Sequence, residues 1–205
     1  MIILFGPAGS GKSSQGRLLA DKYGWKWLSV GQVLRETGKF DEILKNGELV
    51  DDKVVVDLME REIARADDEG MDVILDGFPR DKKQAEIMIQ EKRILDEVEL
   101  AIVMNVPKEE LIKRIEERGR DDDTAEVVER RLEIYESNIG EILPILEEGE
   151  ISVSEVDGVG TVEEVAERIE AVVLEKKPDM VAVFDNESKD VIENDSNLRE
   201  ESYGE

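Results

Sequence analysis

Short apolar runs alternate along this chain with longer stretches in which apolar residues recur every third or fourth position. Ile2–Phe5, Lys26–Val30, Asp72–Leu75, Leu100–Val106 and Ile151–Val156 are predicted strands. Their near-continuous hydrophobicity suits strands buried on both faces. Between them the helical period predicts Lys12–Tyr23, stopped by Gly24, then Lys53–Ala66, Lys82–Arg93, Glu109–Arg118 after Pro107, and Val162–Leu174. Val33–Arg35 and Asp41–Lys45 predict two short helices. Thr124–Leu146 predicts a long one that Pro144 kinks or ends. Strand–helix alternation of this kind predicts an α/β fold with a parallel sheet covered on both faces. No internal repeat is visible.

After Lys176-Lys177-Pro178 the pattern fades into Asp, Glu, Asn and Ser. The reading is therefore one domain over 1–177 and an acidic, disordered tail over 178–205. Val181–Phe184 could pair as a short strand, and an interaction arm is the alternative role for the tail. The length of 205 residues and the 40% hydrophobic content suit one compact body. The N-terminus enters a strand directly and reads as no signal peptide, and no apolar run approaches membrane-spanning length. The expectation is a cytoplasmic protein without membrane contact, and monomeric.

Cysteine and histidine are both absent. That excludes disulfides, thiolate zinc sites and every nucleophilic mechanism that leans on imidazole. Chemistry falls to Lys, Arg, carboxylates, backbone amides and Mg²⁺. The net charge of −25 argues against a nucleic-acid surface. It leaves room for a small polyanion held by a few focused cations.

Gly6-Pro7-Ala8-Gly9-Ser10-Gly11-Lys12-Ser13 joins the first strand to the first helix. This is the strand–G-x-x-x-x-G-K-[ST]–helix phosphate loop in its required context. Its glycines let consecutive N–H groups converge on phosphate oxygens at the positive end of a helix. Lys12 is the candidate bridge to the outer phosphates, and Ser13 the candidate Mg²⁺ ligand. The loop identifies a nucleotide site, not a reaction.

Further on stand Ser29-Val30-Gly31-Gln32-Val33-Leu34-Arg35, Gly47-Glu48-Leu49-Val50-Asp51-Asp52, Leu75-Asp76-Gly77-Phe78-Pro79-Arg80 with Gln84 four residues later, and Arg120-Asp121-Asp122-Asp123. Singly, an arginine on a charged helix serves surface ion pairs. Together and in this order, from Met1 to about Lys177, these motifs and the phosphate loop resemble the adenylate kinase family, the nucleoside monophosphate kinases, in a short-lid form. The resemblance implies a P-loop NTPase-like three-layer fold with a five-stranded parallel sheet, a small helical NMP-binding insert near 30–60 and a minimal lid near 118–124.

It also implies transfer of the γ-phosphoryl group of ATP to AMP, giving two ADP, with Mg²⁺ and without zinc. Gly9, Ser10, Gly11, Lys12, Ser13, Ser14, Arg114, Arg118 and Gly160 correspond to ATP contacts, with Gly158 in the segment that approaches the adenine. Val30, Arg35, Gly47, Leu49, Val50, Gly77, Arg80 and Gln84 correspond to AMP contacts. In that set Arg35 and Arg80 grip the phosphate and Gln84 reads the base. Lys12, Arg80, Arg118, Arg120 and Arg131 correspond to the catalytic cations, Asp122 and Asp123 to the carboxylates that hold lid arginines, and Asp76 with Ser13 to the magnesium side. Phosphoryl transfer asks mainly for in-line positioning and charge neutralisation, which a histidine-free chain can supply.

Four positions depart from the family pattern. Ser14 stands where a threonine is frequent and keeps its hydroxyl. Val30 and Gln32 replace a threonine and an aspartate, and Asp51 replaces a proline. The interval from Arg118 to Asp123 is very short, so the lid is minimal. A UMP/CMP kinase remains an alternative at this stage, although Gln84 favours adenine; so does a non-catalytic nucleotide-binding interaction protein.

Overall fold

The computed structural model describes residues 1–90, 98–119 and 123–181. Five strands form one all-parallel sheet: β1 Ile2–Phe5, β2 Lys26–Ser29, β3 Val73–Asp76, β4 Leu100–Asn105 and β5 Ser152–Asp157. Their spatial order is β2-β3-β1-β4-β5. Ile2 pairs with both Ile74 and Leu100, so β1 is the hydrogen-bonded centre. The helices are α1 Lys12–Tyr23, α2 Val30–Thr37, α3 Asp41–Lys45, α4 Asp52–Asp68, α5 Lys82–Gln90, α6 Lys108–Arg118, α7 Ala125–Glu148 and α8 Val162–Lys176.

Alternation along β1 builds two cores. Ile2 and Leu4 pack with Leu19 of α1 and with Val165, Ile169 and Val173 of α8. Ile3 and Phe5 face the other way, onto Leu34, Met59, Met88, Ile142 and Leu146 from α2, α4, α5 and α7. Each fully buried aliphatic side chain contributes roughly 1.5–3 kcal/mol. With both faces covered, the central strands β3, β1 and β4 are almost wholly buried and carry no polar alternation, while the edge strand β5 alternates.

The structure moves some expected boundaries. Val30 opens α2 rather than closing β2, because Ser29 is the extended N-cap residue. The helix α7 continues through Pro144 to Glu148 instead of ending there. Proline removes one N–H from the ladder, yet Ile142 and Leu146 on either side are buried in the core, and that packing overrides the local preference. Residues 178–181 form a helical turn rather than the start of a strand. Met180 is only 7% exposed and joins the α1–α8 core. The remainder of the expected tail, including Phe184, and the end of the expected helix at Arg93 lie outside the described residues.

Candidate functional site

In an open parallel sheet, ligands bind beyond the carboxyl ends of the strands where the connections diverge to opposite sides. That point here lies after β1, between β3 and β4. A cleft of about 560 Å³ opens there. Its walls are the loop Gly6–Ser14, the ends of β2 and β3, the segment around Gly47–Leu49, one face of α7, and the loop from Gly158 to Val162.

The glycine loop folds around the lysine that follows it. The Lys12 ammonium donates to the carbonyls of Gly6 and Pro7, the latter at 2.9 Å, and to Ser10 Oγ at 3.3 Å. Burial pushes its pKa down to about 8; Asp76 opposes the fall, and the fields of Arg80 and Arg118 add to it. Ser13 Oγ donates to Asp76 Oδ2 at 2.6 Å, joining the first turn of α1 to the end of β3. These are hard oxygen donors, two in number. They fit Mg²⁺, which takes one or two protein oxygens and fills its octahedron with phosphate and water. Among the described residues no cluster of three or more carboxylates offers a cage that would hold a cation by itself.

Two guanidiniums face the loop from the opposite side. Arg80 donates through Nε to the Gly77 carbonyl at 3.0 Å, and its backbone N–H donates to Gln84 Oε1 at 2.9 Å. Gly77 has φ +83°, and a Cβ there would stand 3.0 Å from the Arg80 guanidinium. A side chain at 77 would displace the cation as well as strain the backbone. The guanidiniums of Arg35 and Arg80 both lie beside Gly31, within 3.4 and 3.6 Å of where its Cβ would sit. Among the described residues neither makes an ion pair. Burial lowers the Arg80 pKa; Asp76 counters this and the neighbouring Arg131 and Arg35 reinforce it. Several cations crowded at one place, outnumbering the carboxylate of Asp76, make a site suited to an anion.

A second group of arginines stands over the phosphate loop. Asp123, whose side chain is 3% exposed, accepts from Arg118 through Nε and Nη2 at 2.7–2.9 Å and from Arg131 Nη1 at 3.0 Å. Arg114 pairs with Glu110 at 2.8 Å and donates to the Gly158 carbonyl at 3.0 Å, so it spans from α6 to the loop after β5. That loop is fixed by a reciprocal cap: Thr161 accepts from the Glu164 N–H, and Glu164 accepts from the Thr161 N–H.

Most candidates from the sequence therefore share one cleft. Gly9, Ser10, Gly11, Lys12, Ser13, Ser14, Arg35, Gly47, Leu49, Asp76, Gly77, Arg80, Arg114, Arg118, Arg131, Gly158 and Gly160 all line it. Val30 and Val50 are buried in the core and do not reach its wall. Gln84 is 1% exposed and also lies behind the wall, where its Nε2 donates to Asp52 Oδ1 at 3.0 Å. Gln32 is engaged elsewhere, with Arg17 at 3.2 Å and Glu36 at 2.7 Å. Arg120 and Asp122 lie outside the described residues.

The cleft also contains residues absent from the sequence reading. Tyr135, Asn138, Ile139 and Ile142 line it from α7. Asn138 Nδ2 donates to the Arg80 carbonyl at 2.9 Å, and burial followed by the field of Glu155 pushes the Tyr135 hydroxyl up to about 12. Their spacing from Arg131 (four, seven, eight and eleven residues) marks a single helix face, which was the available signal.

A phosphate loop at a sheet switch point, with a carboxylate at the neighbouring strand end and opposed arginines, defines a nucleotide phosphotransferase of the P-loop class. Comparison with known proteins gives the family. The adenylate kinase family model matches residues 4–150. The adenylate kinase of Maricaulis maris is 38% identical over 191 residues, which cover 85% of this chain and 99% of that protein. Those of Thermus thermophilus and Caulobacter vibrioides are 36% and 38% identical, each spanning 83% of this chain and 95% of the relative. The chain belongs to the adenylate kinase family, a family of nucleoside monophosphate kinases. No helix among the described residues is long and apolar enough to cross a membrane.

Proposed function

We propose that this enzyme transfers the γ-phosphoryl group of ATP to AMP, reversibly, through the residues that line the cleft. The observation that carries this reading is the pair Arg35 and Arg80 beside Gly31, lining the same cleft as the Lys12 loop. A donor triphosphate on the loop and an acceptor phosphate on that pair would meet end to end.

The loop amides and Lys12 hold the outer phosphates of the donor. Ser13 and Asp76 are the residues that would hold a magnesium ion, which would supply charge neutralisation to the phosphates. Arg118 and Arg131, oriented by Asp123, face the migrating group; the family resemblance assigns Arg120 the same role. Arg35 and Arg80 fix the acceptor for in-line attack. Each charge-assisted hydrogen bond is worth roughly 1.5–3 kcal/mol, so several converging cations account for a large part of the barrier reduction. Arg114 and the Gly158–Gly160 loop serve the donor base. Gln84 reads the acceptor base once its amide exchanges Asp52 for the ligand, and the segment Gly47–Val50 closes over that base.

ATP, AMP and ADP are the small-molecule partners on this reading, and the working form is a monomer in the cytoplasm, where adenine nucleotides are abundant. The test is a coupled assay with Mg²⁺, ATP and each of AMP, CMP, UMP and GMP. Turnover with AMP well above the other three is expected. Preference for CMP or UMP would overturn the assignment of the acceptor, and ATP binding without any transfer would overturn the reaction.

A further inference from the structure

The acceptor side of the cleft is tied to α7 by contacts that the phosphotransfer reading leaves unused. Arg130 Nη1 donates to the Asn46 carbonyl at 3.0 Å and lies 3.5 Å from Glu48 Oε1. Arg131 Nη2 donates to the Leu44 carbonyl at 3.1 Å. Gly47 has φ +72°, and a Cβ there would meet Val127 Cγ1 at 3.1 Å and the Val127 carbonyl at 3.3 Å. So the backbone of 44–48 lies against three α7 residues on one face, spaced at i, i+3 and i+4. Basic side chains thus donate to carbonyls at the carboxyl end of α3, where the helix dipole favours positive charge.

We propose that Arg130 is a positioning residue that clasps the NMP-binding insert against α7 and thereby closes the acceptor side of the cleft to water. This rests on the reading of the cleft as a two-nucleotide phosphotransfer site. Arg130 does not line the cleft, whereas Arg131 and the Gly47–Leu49 segment do. It acts on the reaction only through where that segment sits. The segment precedes α4, whose first residue Asp52 accepts from Gln84. Position set at Asn46 is therefore relayed along six residues to the base-reading amide. With so few residues between Arg118 and Asp123, a long lid cannot supply the exclusion of water, and the clasp supplies it from the other side.

Arg130 and Glu48 are 50% and 53% exposed, so their ion pair alone contributes little. The charge-assisted bond to a backbone carbonyl is the larger part. Loss of the clasp thus shifts how often the insert is seated without unfolding the protein.

The test compares Arg130→Ala and Arg130→Lys with the unmodified enzyme. Expected for Arg130→Ala are a KM for AMP raised about fivefold to tenfold, the size of one such hydrogen bond at a half-exposed site, an unchanged KM for ATP, faster ADP release from ATP without acceptor, and an unchanged melting temperature. Arg130→Lys keeps a donor for the Asn46 carbonyl and restores most of the loss. Because the chain has no cysteine, spin labels at Lys39→Cys and Glu133→Cys report the insert-to-α7 distance directly. Arg130→Ala should add a longer-distance population. A single unchanged distance, or wild-type KM for AMP and wild-type acceptor-free hydrolysis, overturns the clasp. An unmodified enzyme that fails to phosphorylate AMP overturns the underlying reading instead.

Discussion

Asp123 accepts hydrogen bonds from Arg118 along nearly the whole edge of its carboxylate, two of them at 2.7 and 2.8 Å, and still receives Arg131 on Oδ1. One buried anion thus fixes the guanidiniums from two helices. Removing its charge leaves both arginines in place but free to swing. Asp123→Asn should lower kcat by roughly tenfold to a hundredfold, as loss of one or two oriented charge contacts does, with a smaller change in KM for ATP. Steady-state kinetics with both substrates varied would check this; an unchanged kcat would exclude the orienting role.

Arg80 is partly buried with Arg35 and Arg131 nearby, and on the proposed reading it grips the acceptor phosphate. Arg80→Ala should reduce transfer by about two to three orders of magnitude and leave ATP affinity close to that of the parent. Equilibrium titration with a fluorescent ATP analogue, beside the coupled assay, separates the two effects. An active Arg80→Ala enzyme would undo the assignment of the acceptor phosphate site.

Lys12 gives a pH signature. Burial holds its free-enzyme pKa near 8, so the ammonium that phosphates require is lost as pH rises through that value. Between about 8 and the ordinary lysine value, kcat/KM for ATP should fall about tenfold per pH unit. Bound phosphates favour the charged form and raise the pKa, so kcat should hold to higher pH than kcat/KM. A profile of kcat/KM that stays flat from pH 7 to 10 would contradict this.

Ser13 and Asp76 share a hydrogen bond at 2.6 Å on the side of the loop assigned to magnesium. Asp76→Asn should raise the Mg²⁺ concentration needed for half-maximal rate by about tenfold or more while the fold survives, since asparagine preserves the acceptor oxygen for Ser13. Titration of activity with Mg²⁺ at fixed nucleotide reads the shift directly.

Gln84 and Asp52 supply a test of base choice. The Asp52 carboxyl is held below its ordinary value: burial pulls it upward, but hydrogen bonds from Gln84 and Lys83 outweigh that. Gln84→Leu should narrow the preference for AMP over CMP by roughly tenfold or more, because a buried polar group reads a base by leaving the wrong one unpaired. Relative kcat/KM for the two acceptors is the measurement; an undiminished preference would remove Gln84 from base reading.

The phosphate loop was legible because its spacing is local: glycines, lysine and serine follow one another between a strand and a helix. Buried parallel strands were equally plain, since both faces want apolar residues. What escaped depends on partners far away in sequence. Nothing near Gln84 announces that Asp52, 32 residues earlier, takes its amide. Pro144 argues for a break that burial of Ile142 and Leu146 overrides. Met180 follows a proline in acidic surroundings and looks like tail, yet it packs beneath α1 and α8. Arg130 sits in a helix full of charge, and only the approach of Asn46 gives it a task.

The strand order has a kinetic corollary. On the proposed reading, acceptor-side residues follow β2 and β3 and donor-base residues follow β5, on opposite sides of the central β1, so the two nucleotides enter one cleft from opposite flanks. Neither nucleotide must pass the other on its way in. Either can arrive first, so each nucleotide should bind the free enzyme in an equilibrium titration without the other.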